Sequence, residues 1–163
     1  MIYILDTLNG KLVKAEILVA ERKDAPSKRD GWNFNWIKLI QEENSKVYFL
    51  KTIESPKSVE GALQLKIENG MLIMELLEIA PHNIGQENKK YDHVAGCLIA
   101  FACRESIKID GVYMGFLTFV SKTNLIEWYT GKYGAVLALG RRMYIDYNSG
   151  LKLIKEYLER KLI

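Results

Sequence analysis

Apolar and polar positions along this chain fall into two rhythms, one of period two and one close to period four. Alternating apolar stretches at residues 1–5 and 12–20 flank Asn9-Gly10, a dipeptide suited to a tight hairpin, and predict two paired strands. Trp32, Trp36, Leu39 and Ile40 recur at i, i+4, i+7 and i+8 and predict an amphipathic helix with one buried stripe. Strands are expected at 47–51, 62–67 and 71–79, the last two joined through Glu68-Asn69-Gly70. A helix follows over 92–107, apolar nearly all round in its first half, with Asp92 as N-cap. The remainder predicts a strand at 111–120, a short helix at 125–132 closed by Gly134, and strands at 135–139 and 143–146. A terminal helix carries the stripe Leu151, Ile154, Tyr157/Leu158 and Leu162.

Three antiparallel strands that feed a helix and then another strand imply a mixed sheet with helices on its faces, an α/β (α+β) fold. At 163 residues the chain suits one domain, 1–163. Its 48% hydrophobic and 26% charged residues are those of an ordinary globular protein, and a net charge of +3 is too mild to point to nucleic acid. Arg22, Lys23, Lys28 and Arg29 are interleaved with Asp24 and Asp30, the pattern of a solvated loop. No stretch has the length of a membrane span, and the first residues lack a secretory signal, so the cytoplasm is the expected compartment. Cys97 and Cys103 stand six apart on one predicted helix, where packing is their expected role. His82 and His93 lack cysteine or carboxylate company at zinc-ligand spacing, so no metal is expected.

The segment between the third strand and the long helix carries the chemistry. An apolar strand ends at Pro81, whose ring removes a ladder donor. A polar loop with Lys89 and Lys90 then leads into the helix, whose first N–H groups and positive end favour an anion. Ile79-Ala80-Pro81, followed by Lys90-Tyr91-Asp92-His93-Val94-Ala95-Gly96-Cys97-Leu98, resembles the coenzyme A signature of the GNAT acyltransferase superfamily. In that signature an aliphatic-x-Pro step precedes Arg/Gln-x-x-Gly-x-Gly/Ala-x-x-Leu. Lys90 stands at the Arg/Gln position, Ala95 and Leu98 fit, and His93 replaces the first glycine.

The resemblance implies a mixed, bent GNAT-like sheet, helices on both faces and an added C-terminal helix, with the strands at 71–79 and 111–120 splaying apart. It implies acetyl-CoA or another acyl-CoA as co-substrate, without metal, and direct acyl transfer to an amine acceptor of unknown identity. Cofactor contacts fall on Ile79, Ala80, Lys89, Lys90, Tyr91, Asp92, His93, Val94, Ala95 and Gly96. Tyr129, one residue further from Gly134 than the family spacing, is the expected acid for the leaving thiolate; Tyr133 is the runner-up. Strand period places Glu75 with Ile73, Leu77 and Ile79, and Glu75 is the expected base or water-orienting group. The departures at His93 and before Gly134 also fit a GNAT-like module that senses acyl-CoA or binds a protein after losing catalysis. A third reading is an acyltransferase toxin that modifies aminoacyl-tRNA. Trp32, Phe34 and Trp36, if exposed, would suit a homodimer contact.

Overall fold

The computed structural model describes residues 2–161, so the expectations for Met1 and Leu162 lie outside the described residues. The Asn9-Gly10 hairpin joins β1 (Ile2–Asp6) to β2 (Lys11–Val19). β3 (Ser45–Thr52), β4 (Gly61–Glu68) and β5 (Met71–Ile79) continue the antiparallel run. Asn69 and Gly70 both take positive φ, 52° and 77°, as a two-residue turn of the right twist demands.

Only four residues of the strand expected at 111–120 are extended, β7 (Leu117–Val120). The stretch before it is held as turns, with the Gly115 N–H donating to the Ser106 carbonyl at 2.9 Å. β8 (Val136–Leu139) and β9 (Arg142–Ile145) close the chain's strands, and a two-residue β6 (Tyr91–Asp92) pairs with β1. Among the described residues the open mixed sheet runs β6-β1-β2-β3-β4-β5-β7-β9-β8.

Parallel pairing of β5 with β7 is confined to Leu72–Leu117 and Ile73–Thr118. Among the described residues, the β7-facing edge of β5 has no strand partner beyond Ile73. The strands part as the fold resemblance implies. A bulge changes the strand's period at the same place: Gln64 pairs with Leu76 and Leu65 with Met74, which leaves Glu75 as the extra residue. Leu72 and Met74 therefore share one core with Leu77 and Ile79, whereas Leu76 and Ala80 face the other. The alternation expected from the sequence does not hold across this residue.

The first core lies under α2 (Val94–Ile107), which is buried along most of its length, and under the C-terminal helix. That helix begins as α4 (Tyr147–Leu153) and widens into a π-turn over Ile154–Leu158. The altered period buries Leu153, Ile154, Tyr157 and Leu158 and leaves Leu151 exposed, unlike the expected stripe. The second core gathers Trp32, Trp36, Val47, Phe49, Val59, Ala62 and Ala80. Only α1 (Trp36–Ile40) is helical there. The buried Glu78 carboxylate accepts the Asn33 and Phe34 N–H groups at 2.6 and 3.2 Å and the Trp36 indole N–H at 2.8 Å. These bonds hold the preceding residues outside a helix, so Trp32 joins the core from a loop. Both tryptophans are internal and only Phe34 is exposed, so the trio forms no docking surface.

Candidate functional site

Tight local bonding shapes the turn from β5 into α2. Asn83, buried, accepts the Tyr91 N–H at 2.9 Å, and the His82 carbonyl accepts the Lys90 N–H at 2.8 Å. Thr7 bonds the carbonyls of Lys89 and Lys90. These contacts fold the polar loop back so that its end meets the end of β5. The N-cap of α2 is His93, in the left-handed region at φ 73°, while the expected cap, Asp92, lies in β6. Asp92 Oδ1 instead accepts the His93 N–H at 2.7 Å and stands 3.5 Å from Lys89 Nζ. Burial opposes the Asp92 charge, but the His93 N–H and Lys89 together hold its carboxyl below the usual value.

A cleft of about 110 Å³ opens at this turn. It brings together Ile79, Lys89, Tyr91, Asp92, His93, Val94, Ala95 and Gly96 from the expected set. Opposite them stand Trp128, Lys132 and Tyr133 of α3 (Ile126–Tyr133), and Tyr157 from the C-terminal π-turn. The amides of Val94, Ala95 and Gly96 occupy the first turn of α2, where no intrahelical acceptor exists. Two ammonium groups, the start of a helix and the phenols of Tyr91, Tyr133 and Tyr157 thus border one small space.

Four expected site residues lie outside that lining. Ala80 is fully buried against the second core, and its N–H donates to the Glu60 carbonyl at 3.0 Å. Lys90 is exposed, with its ammonium 5.3 Å from the Tyr91 ring centroid. Glu75 is the exposed bulge residue. Tyr129 stacks on Phe119 of β7, ring centroids 4.8 Å apart, and lies 6.1 Å from the Tyr133 ring. Burial raises the phenol pKa of both tyrosines above the ordinary value.

His93 and Gly96 take on roles that the sequence pattern alone does not contain. The His93 Nδ1 accepts a hydrogen bond from Arg160 at 2.7 Å. Guanidinium has only donors, so this imidazole is neutral with its proton on Nε2. Burial, then the Arg160 charge, depresses the His93 pKa below its ordinary value. Gly96 lacks a side chain where Tyr157 requires the room: a Cβ there would lie 2.3 Å from the Tyr157 ring. Burial pushes the Tyr157 phenol up to about 12. Buried Cys97 and Cys103 have thiols raised to about 11 and about 12, again by burial, which suits packing rather than nucleophilic work. Among the described residues no group of three or more His, Cys, Asp or Glu could hold a metal, and no helix is long and apolar enough to cross a membrane.

Neither a protein-family model nor a curated protein sequence matches the chain. Solved structures do. AtaTR bound with AcCoA superposes with a TM-score of 0.62 at 13% identity, covering 86% of this chain and 98% of its own. A mutant of the spermidine N-acetyltransferase SpeG from Vibrio cholerae gives 0.55 at 17% identity, covering 85% and 96%. The KacTA–DNA complex gives 0.55 at 15%, covering 74% and 79%. The chain has the fold of the GNAT acetyltransferases. Likeness at these identities establishes the architecture and leaves the chemistry to the residues of this chain.

Proposed function

We propose that the protein is an acyl-CoA-dependent N-acyltransferase, with acetyl-CoA as the simplest donor. The observation that carries this reading is the convergence, at one end of β5, of the α2 amide end, Lys89 and Lys132 with the Tyr133 phenol. Amides at a helix start and two ammonium groups suit a diphosphate. The cleft is well below the about 300–1,000 Å³ of pockets that enclose drug-sized ligands. It therefore takes only part of the coenzyme, with the rest on the open surface. The unpaired β5 edge beyond Ile73 offers main-chain groups to the amide-bearing arm of the coenzyme.

Direct transfer requires a polarised thioester carbonyl, an unprotonated amine and a proton for the departing thiolate. Main-chain N–H groups at the end of β5 would polarise the carbonyl. A phenol kept protonated by burial suits the third task, and Tyr133 borders the cleft while Tyr129 stacks behind it. Calorimetry with acetyl-CoA tests the site. Wild-type protein is expected to bind and Ala95→Trp to lose binding; equal affinity would refute the placement. Intact-mass analysis of mixed amines incubated with acetyl-CoA and enzyme tests the reaction, with an acyl adduct as the expected product.

One feature favours a second reading, a coenzyme-binding module without turnover: Tyr157 and Arg160 crowd the helix start from the C-terminal side. Binding in the calorimeter without any acyl product would support it. An aminoacyl-tRNA acceptor ranks below both readings, because the chain's positive charges are interleaved with acidic ones rather than gathered.

A further inference from the structure

A second and much larger cleft, about 1200 Å³, borders the same turn. Pro81 and His82 line it, while their neighbours Ile79 and Asn83 line the small one. Trp32 and Val59 of the second core also line the large cleft, whereas Val94, Tyr133 and Tyr157 of the first core line the small one. The two clefts thus flank the end of β5 from opposite faces of the sheet.

In the lining of the large cleft His82 Nε2 lies 2.5 Å from Oε1 of Glu60, a carboxylate behind it whose side chain is 2% exposed. Glu60 also accepts from Asn83 Nδ2 at 3.0 Å and from Ser58 Oγ at 3.1 Å. A carboxylate fixed by these donors fixes the imidazole in turn: the ring N–H points at Glu60, and the Nδ1 lone pair is left for another partner. The His82 side chain is 43% exposed, so this lone pair is on a group that solvent and ligand can reach. Charges on the other elements that line the cleft are largely paired among themselves. Asp24 meets Lys51 at 2.8 Å and Glu21 meets Lys23 at 3.3 Å. Asp30 accepts from Ser27 at 3.0 Å. Glu54 and Lys57 complete the charged groups of the lining.

We infer that His82, oriented by the buried Glu60, is the general base that takes the proton from an acceptor amine held in the large cleft. The inference rests on the acyltransferase reading above. His82 Nδ1 takes one proton from the bound ammonium; the freed amine nitrogen then attacks the thioester carbonyl carbon, and the second proton, shed as the amide forms, replaces the one that Tyr133 gives up. The C–S bond then breaks, and the thiolate takes the Tyr133 proton. Glu60 is a positioning residue, since it acts only through the imidazole. Asn83 bonds Glu60 and borders the small cleft, so one hydrogen-bonded network reaches both substrates.

Thiol release from acetyl-CoA tests this with two nucleophiles, ethylamine, which is protonated near neutral pH, and hydroxylamine, which is not. Release is followed from about pH 6 to about pH 9 in wild type, His82→Gln and Glu60→Gln. His82→Gln is expected to lower the ethylamine reaction about 100-fold, in the range of a lost general base, and to change the shape of its pH profile. It is expected to leave the hydroxylamine reaction and coenzyme affinity nearly unchanged. Glu60→Gln should give a smaller loss with the same selectivity. Equal losses with both nucleophiles, or an unaltered pH profile, would each overturn the inference alone, whereas a wild type that binds coenzyme A without amine-dependent release overturns the acyltransferase reading with it. A wild type that does not bind coenzyme A overturns the underlying reading as well.

Discussion

The two clefts beside the end of β5 are built in opposite ways. The small one is assembled mainly from a contiguous stretch, Lys89 to Gly96, completed by one face of α3 and by Tyr157. The large one is assembled from three separated segments, 21–32, 51–59 and the turn after β5, held by side-chain carboxylates that reach across the chain. Glu78 fastens the first of these segments and Glu60 the last. A contiguous site depends on local dihedrals and helix geometry. A dispersed one depends on a few buried polar anchors, and breaking one anchor should damage it far more than it damages its neighbour.

Glu78→Ala gives the largest expected effect on stability. It removes the acceptor for two partly buried main-chain N–H groups and for the buried Trp36 indole. Stranding such donors costs about 1–3 kcal/mol for each that stays buried, so a total loss of roughly 3 kcal/mol is expected from urea unfolding. Coenzyme affinity of the folded variant should be nearly unchanged. A loss under about 1 kcal/mol, or a matching loss of coenzyme binding, would show that the clefts are not separately anchored.

Tyr133→Phe probes the small cleft from the α3 side. With turnover measured on any amine that accepts the acyl group, the variant should fall by about 100-fold in kcat with little change in coenzyme affinity. Tyr129→Phe should be much milder. The reverse order would move the acid to Tyr129. The two phenols are four residues apart, so at about 100° per residue they share one face of α3 a turn apart, and the distinction turns on which of the two turns borders the cleft.

That geometry also marks the limit of what could be read from the sequence. The β5–α2 turn was legible because its parts are consecutive: Pro81 ends a strand, lysines follow, and small residues open an apolar helix. The hairpin at Asn69-Gly70 was legible for the same reason. Residues whose roles come from distant partners were not. Glu60 and His82 are 22 positions apart, and Glu78 bonds residues 42 to 45 positions away. The bulge at Glu75 arises from how β4 and β5 pair, so strict alternation misplaced Met74 relative to Leu77. Trp32 and Trp36 kept a helical spacing in sequence, yet the Glu78 carboxylate holds the chain between them out of a helix. The two glutamates within an apolar strand, Glu75 and Glu78, were the available signal, since burying either requires partners.

A smaller effect is expected at Gly96, where contiguous and distant parts meet. A Cβ would stand 2.3 to 2.8 Å from three atoms of the Tyr157 ring, too close without displacement of a buried side chain. Gly96→Ala should cost about 2 kcal/mol, typical of overpacking. Thermal unfolding in the single and double variants checks the cause. If Tyr157 is the obstacle, Tyr157→Ala should cost less in the Gly96→Ala background than in wild type, and additive losses would exclude the clash.

His93→Asn should give the smallest change and the most informative one for the contiguous site. Asparagine tolerates the left-handed conformation that His93 adopts at φ 73°, so the backbone need not move. What is lost at high pH is the hydrogen bond from Arg160, about 1 kcal/mol net. The pH dependence then separates the imidazole's titration from its packing. The His93 pKa is depressed in the folded protein below its ordinary value of 6.5, so below that pH the unfolded chain takes up a proton that the folded chain resists. The imidazole's contribution is complete above the unfolded value and is lost as pH falls toward the folded one. Wild type should therefore lose stability on acidification through this window, and the asparagine variant should lose less, narrowing the gap between them. Asp92, whose carboxyl is depressed as well, acts in the same direction only near and below its ordinary value of 3.8, well under the pH range of the measurement. Denaturant unfolding of both proteins at about pH 8 and about pH 5.5 measures the gap. A gap that stays constant or widens would mean that His93 is not held neutral by Arg160 at the start of α2.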